Sequence, residues 1–285
     1  MRFSARDAEM PHGSTYIRGG RSIERAIAPA GAPIRSTALP MNGERHTTTL
    51  ALDTSHSKGS VAVVSGTELL CEIMFDAGDT HSATLMPAVD TCLRTAKLPL
   101  RLIDRFAVVS GPGSFTGLRI GLATVKAFAA VCHRPVVPVT SLEVLAAALP
   151  FTAHPVLVMI DARRGEVYAG LYVTHDGMPI PLVPPFSAGP VSAVERAIAV
   201  SDGVPLLLCG TGTERYGEIL SSAVPRGSRF AGPRWSFPSA SQLAALSGVK
   251  PAVCGEDLHA LEPLYIRPPD ARLPSAAKLE AGGGP

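Results

Sequence analysis

From Thr48 onward the chain alternates short apolar runs with polar turns. Leu50-Ala51-Leu52 ends on Asp53-Thr54-Ser55, a polar turn passes through Lys58-Gly59, and a second apolar run covers Val61 to Val64. That pattern predicts a strand, a loop of turn formers and a returning strand. Leu69 to Phe75 predicts a third strand. Between about Ser82 and Ala96 the apolar period lengthens to the helical one, with Leu85, Val89, Cys92 and Leu93 on one face. Pro87 lies inside this helix and predicts a kink or a late start. An apolar strand at Phe106 to Val109 follows, then a helix after Thr116. Next come a short strand at Val136 to Val139 and a helix capped by Thr140 or Ser141.

The second half repeats this opening. Val156 to Ile160 ends on Asp161, a turn passes through Arg163-Arg164-Gly165, and Glu166 to Val173 returns as a strand. Internal duplication of strand, terminal Asp, turn and returning strand predicts two related α/β lobes facing each other across a cleft. The Pro-rich stretch His175 to Pro190 is expected to be a loop. Leu206 to Cys209 reads as a buried strand feeding the turn Gly210-Thr211-Gly212, and helical character returns around Ser239 to Leu246.

The ends differ from this body. Residues 1–46 scatter arginines among Gly, Pro and Ser without a sustained apolar period or the apolar segment of a secretory signal. They read as a disordered arm or as a start codon set too early, with Met41 the true first residue; the second is favoured, since patterned sequence begins within a few residues of Met41. The expected organisation is an extension at 1–46, one lobe at 47–152, a second at 153–267 and a frayed tail at 268–285.

One stretch carries more local information than any other: Gly111-Pro-Gly-Ser-Phe-Thr-Gly-Leu-Arg-Ile-Gly121. It joins a strand to a helix, with Ser114 and Thr116 both natural N-caps, and free N–H groups at such a helix start can hold an anion. Its spacing matches neither the P-loop nor the Rossmann fingerprint. Gly117 and Gly121 lie one helical turn apart and form a flat strip that another backbone can approach closely. That backbone belongs either to the same domain or to a partner. Leu118, Leu122, Val125 and Ala129 form the adjoining apolar stripe.

Composition narrows the classes. The 285 residues are 46% hydrophobic and 18% charged, as in a folded globular protein. A formal net charge of +2 with scattered lysines and arginines offers no stripe that grips nucleic acid unaided. The 5 cysteines form no C-x-x-C pair and predict buried, reduced thiols. No apolar run approaches the roughly 20 residues of a membrane helix, because Lys126 interrupts the longest candidate. No membrane association is expected.

The GPGSFTGLRIG stretch, with His81-Ser82 before it, Thr140-Ser141-Leu142 after it and the closing segment Pro263-Leu264-Tyr265-Ile266-Arg267, resembles the TsaB family over Thr48 to Arg267. That resemblance implies an actin-like (ASKHA) α/β fold of two related lobes. It implies a cytoplasmic, non-catalytic subunit of the machinery that makes threonylcarbamoyladenosine at position 37 of tRNAs reading ANN codons. The implied partners are a TsaD-like catalytic subunit, bound as a heterodimer, and a TsaE-like ATPase. The free protein can pair with itself, and tRNA is met only through the complex.

On this reading the helices from Ser82 and Gly117 lie side by side and offer one face to the partner. The first would contribute His81, Leu85, Met86, Val89 and Leu93. The second would contribute Gly117, Leu118, Arg119, Gly121, Leu122 and Val125. A bulky residue at Gly121 is then expected to loosen the partner while leaving the subunit folded.

Asp53, Asp161 and Gly210 mark where actin-like ATPases hold nucleotide phosphates. Here Asp53 is followed by Thr-Ser-His and Asp161 by Ala-Arg-Arg, without the glycines that wrap a phosphate. Either the cleft is vestigial and each carboxylate caps its own turn, or the chain is an active actin-like ATPase or small-molecule kinase using Asp53 and Asp161. The catalytic relative TsaD binds its metal through two histidines spaced i and i+4. Four residues after His81 stands Leu85, so that pair is broken, and no metal, cofactor or catalytic residue is expected.

Overall fold

The computed structural model describes residues 46–77 and 81–267, with backbone alone for His81 and Ser82. It also gives the backbone of two short antiparallel strands, β1 (Ile17–Arg18) and β2 (Arg21–Ser22). The expectations for Met41 and for the 268–285 tail lie outside the described residues.

Five strands form the first sheet: β3 (Thr48–Asp53), β4 (Lys58–Ser65), β5 (Glu68–Asp76), β6 (Arg105–Gly111) and β7 (Val136–Thr140), in the order β5-β4-β3-β6-β7. β3, β4 and β5 make an antiparallel meander, and β6 and β7 add parallel to β3. Helices cover both faces, so the central strand β3 is buried at every position, its polar ends Thr48, Thr49 and Asp53 included, with Leu50-Ala51-Leu52 at its centre. The two faces are filled differently. On one, Leu50, Leu52, Val61 and Val63 meet α1 (His81–Thr95) and α2 (Phe115–Cys132). On the other, Ala51 lies in register with Ala62 and with Ala107, so a row of methyl groups crosses three strands and lets helices come close.

The second sheet consists of β8 (Val156–Asp161), β9 (Val167–His175), β10 (Met178–Ala188), β11 (Leu207–Cys209) and β12 (Arg229–Phe230). Its order, β10-β9-β8-β11-β12, and its mix of antiparallel and parallel pairs repeat those of the first. The duplication seen in the sequence is therefore a duplicated sheet, and the fold is the two-lobed actin-like α/β arrangement. Between the lobes lies α3 (Ser141–Ala147), capped by Thr140 in a box with Glu143. Its Val144 and Ala147 belong to the first core, while Leu142, Leu145 and Ala146 belong to the second.

One expectation needs correction. His175 to Pro190 is not a loop: it holds the whole of β10, paired antiparallel with β9 through register shifts on either side of Val183. β10 is the edge of its sheet, where prolines cost no ladder bond on the open side. Asp176-Gly177, with φ of 49° and 76°, makes the two-residue hairpin turn that leads into it. α4 (Pro190–Val200), α5 (Thr211–Arg215) and α6 (Gly217–Ala223) complete this lobe.

One helix late in the chain packs on the first sheet rather than the second. α7 (Ala240–Ser247) returns to the first sheet and lays Ala240, Leu243, Ala244 and Leu246 on the alanine row. Further on, Val253 bridges to Val136 before α8 (Asp257–Ala260).

A carboxylate from β5 holds the start of α7. Glu72 accepts from the Ser239 hydroxyl at 2.7 Å, the Ser241 N–H at 3.0 Å and the Ser241 hydroxyl at 2.8 Å. Glu72→Ala leaves those donors unpaired and removes an anion from a helix N-terminus. It is expected to cost about 1–2 kcal/mol, measured as a lower urea midpoint at an unchanged denaturant slope.

The thiols are all free, but only Cys92 and Cys209 are buried; Cys71 and Cys132 are half-buried and Cys254 is exposed. Burial pushes the Cys92 and Cys209 thiols up to about 12. α2 reaches 18 residues at a mean hydropathy of 1.4, long and apolar enough to cross a membrane by composition alone. Its buried side chains, Leu118, Leu122, Val125 and Ala129, are spent on the first lobe's own core.

Candidate functional site

The two sheets place their first strand ends opposite each other, and each end carries the same turn. Asp53 Oδ1 accepts from the Ser55 N–H at 2.8 Å, and Asp161 Oδ1 accepts from the Arg163 N–H at 3.0 Å. Each aspartate thus caps its own turn two residues on, in the manner of an Asx turn. Beyond that likeness the two differ. Asp53 is wholly buried, its Oδ2 has no hydrogen-bond partner, and burial, opposed by the bonds from Ser55, pushes its carboxyl up to about 7. Asp161 is half-buried and well supplied: Tyr216 donates its hydroxyl at 3.2 Å, and the Arg215 guanidinium stands 3.3 Å away.

The glycine-rich stretch lies against the first of these turns. Ser114 caps α2, accepting from the Gly117 N–H at 3.3 Å, while its own N–H donates to the Ser55 carbonyl at 2.7 Å. Thr54 donates its hydroxyl to the Gly117 carbonyl at 2.7 Å. A Cβ on Gly117 would stand 1.9 Å from the Thr54 carbonyl oxygen, and one on Gly121 would stand 2.4 Å from Thr54 Oγ1. The flat strip is therefore filled by Thr54 of the same chain. Two of the N–H groups that would bind an anion, those of Ser114 and Gly117, are already taken.

Between the lobes runs a cleft of ≈ 720 Å³. Ser55, His56 and Ser114 line it from the first lobe, and Asp161, Arg163 and Thr211 from the second. Thr211 Oγ1 accepts from the Asp161 N–H at 3.1 Å. Of the three residues expected at a nucleotide cleft, only Asp161 faces this space. Asp53 is buried behind Ser55, and Gly210, at φ 98°, is pressed against Met159, where a Cβ would stand 2.3 Å from the carbonyl oxygen.

The closing segment straps the cleft's edge from lobe to lobe. The Leu264 N–H donates to the Ser110 carbonyl at 2.7 Å, and Tyr265 stacks on Phe115 with ring centroids 5.3 Å apart. Arg267 then reaches the second lobe, pairing with Glu166 at 2.7 Å and donating to the Ala162 carbonyl at 3.3 Å. Among the described residues no group of three His, Cys, Asp or Glu side chains is placed to hold a metal ion.

The expected partner face sorts into two halves. Leu85, Val89, Gly117, Leu118, Gly121, Leu122 and Val125 are buried within this chain, and Leu93 packs half-buried beside them. The helical period that gathers apolar residues into one stripe is the period that turns this stripe to the sheet. Met86 and Arg119 are exposed, and the His81 side chain lies outside the described residues. The outward face consists instead of Ala83, Met86 and Pro87 on α1 with Thr116, Ala123 and Ala127 on α2. Its signal was present in Thr116, Ala123 and Ala127, small residues seven and four positions apart on the far side of α2.

Comparison with known proteins agrees with this geometry. The family model described as TsaD, tRNA N6-adenosine threonylcarbamoyltransferase, matches residues 75–177. The tRNA threonylcarbamoyladenosine biosynthesis protein TsaB of Bacillus subtilis is 30% identical over 220 residues, covering 77% of this chain and 94% of the relative. The TsaB protein of Escherichia coli is 34% identical over 125 residues, covering 43% of this chain and 54% of its own length. Among solved structures, YeaZ from Pseudomonas aeruginosa is 28% identical with a TM-score of 0.64, covering 77% of this chain and 99% of that one. With a relative this similar over nearly its whole length, and with the same fold, the chain belongs to the TsaB family.

Proposed function

We propose that this chain is a non-catalytic subunit required for threonylcarbamoylation of adenosine 37 in tRNAs reading ANN codons, acting by binding and activating a TsaD-like catalytic subunit. A TsaE-like ATPase completes the assembly, and tRNA is met through the complex rather than by this subunit alone. The observation that carries the reading is the filled glycine loop. Thr54 and Ser55 occupy the space and the N–H groups that a phosphate needs, while the small, weakly polar outer face of α1 and α2 is left exposed. An ATPase using Asp53 and Asp161 is disfavoured by the same facts, since Asp53 is buried behind Ser55 and Asp161 is held by Arg215 and Tyr216.

Reconstitution tests the proposal. The purified chain is expected to leave ATP and tRNA unchanged by itself, and to restore tRNA modification when added to the catalytic subunit and the ATPase. Ala123→Trp, on the exposed face of α2, is expected to weaken association with the catalytic subunit at least tenfold, about 1.4 kcal/mol. Thermal stability of the free subunit should change little. ATP turnover by the chain alone, abolished by Asp53→Ala, would overturn the non-catalytic reading.

A further inference from the structure

We infer that Arg119 is a preorganised docking cation for a carboxylate on the partner subunit, and that Tyr265 is the residue that positions it. This rests on the partner reading of the α1–α2 face given above. Arg119 lies one helical turn after Phe115, and its guanidinium sits 3.8 Å over that ring. Phe115 also stacks with Tyr265 at an interplanar angle of 29°, and Arg119 Nε donates to the Tyr265 hydroxyl at 3.2 Å. Phe115 and Tyr265, from two distant segments, thus hold a side chain that would otherwise have many rotamers.

With Nε spent on Tyr265, the terminal Nη edge has no acceptor among the described residues. That edge is the fork that takes a carboxylate through two parallel N–H bonds. Because the rotamer is already set, little ordering cost is left for the moment of association.

The charge balance of the face points the same way. On α1, Asp90 and Arg94 pair with each other at 2.9 Å, leaving Arg119 and Lys126 of α2 as its unmatched cations among the described residues. Lys126 donates to a neutral acceptor, the His259 carbonyl, at 3.2 Å, so no described residue compensates its charge. An acidic partner surface complements this face. A phosphate backbone is the weaker candidate, because the chain carries a formal charge of only +2 and, with Arg94 paired, Arg119 and Lys126 are two cations set among small, weakly polar residues, too few for a phosphate-binding stripe.

The test is the dissociation constant of the full chain for the catalytic subunit, at low and at high salt, with tRNA affinity of the assembled complex measured in parallel. Arg119→Ala is expected to weaken association about tenfold at low salt and less at high salt. Arg119→Lys should recover little, since an ammonium neither stacks nor forks. Tyr265→Phe keeps the ring stack and removes the hydroxyl, and should cost about threefold while flattening the salt dependence, which a merely structural role would not do.

If Ala123→Trp weakens binding and Arg119→Ala does not, this inference fails and the partner reading stands. If neither variant matters, the partner reading itself falls. A loss on Arg119→Ala that is equal at both salt concentrations would mean packing rather than charge, and would also overturn the inference. So would intact subunit association with weakened tRNA binding, which would assign Arg119 to phosphate.

Discussion

Gly117→Ala is expected to destabilise the free subunit by about 3 kcal/mol, the upper end of what overpacking costs. For a folded body of this size that is roughly 6–12 °C in Tm. The reason is the identity of the neighbour. A Cβ at 117 would meet the Thr54 carbonyl oxygen at 1.9 Å, and that oxygen is main chain, fixed by the β3–β4 turn. At Gly121 the nearest atom is Thr54 Oγ1 at 2.4 Å, the end of a side chain. The two sites therefore respond differently to Thr54→Ala, which removes Oγ1 and leaves the carbonyl in place. Gly121→Ala combined with Thr54→Ala should be more stable than the sum of the single effects by about 1–2 kcal/mol, as coupled neighbours are. Gly117→Ala with Thr54→Ala should show no such recovery. A Gly117→Ala subunit that melts like wild type yet no longer binds its partner would show that the strip serves the interface after all.

Asp53→Asn is expected to stabilise the subunit relative to wild type, and increasingly so as pH rises from 4 to 7. Burial holds the Asp53 carboxyl at about 7 in the folded state, against 3.8 for an ordinary aspartate. Between those values the folded chain keeps a proton that the unfolded chain has lost, so stability falls as pH rises through the window and levels off above 7. Asparagine carries no charge, and its carbonyl can still accept from the Ser55 N–H as Asp53 Oδ1 does at 2.8 Å. The difference in unfolding free energy between variant and wild type should grow by about 4 kcal/mol across the window. Other titrating groups cancel in that difference. A difference independent of pH would show that Asp53 is ionised in the folded protein and that a compensating charge faces it.

Legibility in the sequence followed the range of the forces involved. Strands buried on both faces, such as β3 and β8, announce themselves as apolar runs, and the repeated Asp-terminated hairpin announced the duplicated sheet. The apolar stripes of α1 and α2 were also plain, but a stripe does not say whether it faces its own sheet or another chain. The spacing of Gly117 and Gly121 says that a backbone comes close but not whose, and it is the family resemblance that points them toward a partner. The neighbour that fills them, Thr54, is 63 residues away from Gly117 in sequence and leaves no periodic trace. β10 was missed because its prolines outweighed Asp176-Gly177, a stronger local signal than they are at a sheet edge. Nothing local linked Phe115 and Arg119 to Tyr265, 146 residues beyond Arg119, so the assembly at the mouth of the cleft is visible only in the fold.

The return of α7 to the first sheet bears on the order in which the protein can be made. The first lobe begins to emerge from the ribosome at Thr48, yet the residues that cover its alanine row, Ala240 to Leu246, emerge only after the whole second sheet has been synthesised. During elongation, Ala51, Ala62 and Ala107 stay open to water while β8 to β12 have everything they need to pair. The lobe encoded second therefore has its own strands and helices complete first, reversing the usual vectorial order. A nascent chain that stalls before Ala240 has only Val144 and Ala147 of α3 against this apolar sheet face, and it is at that stage of synthesis that the face is most open to wrong partners.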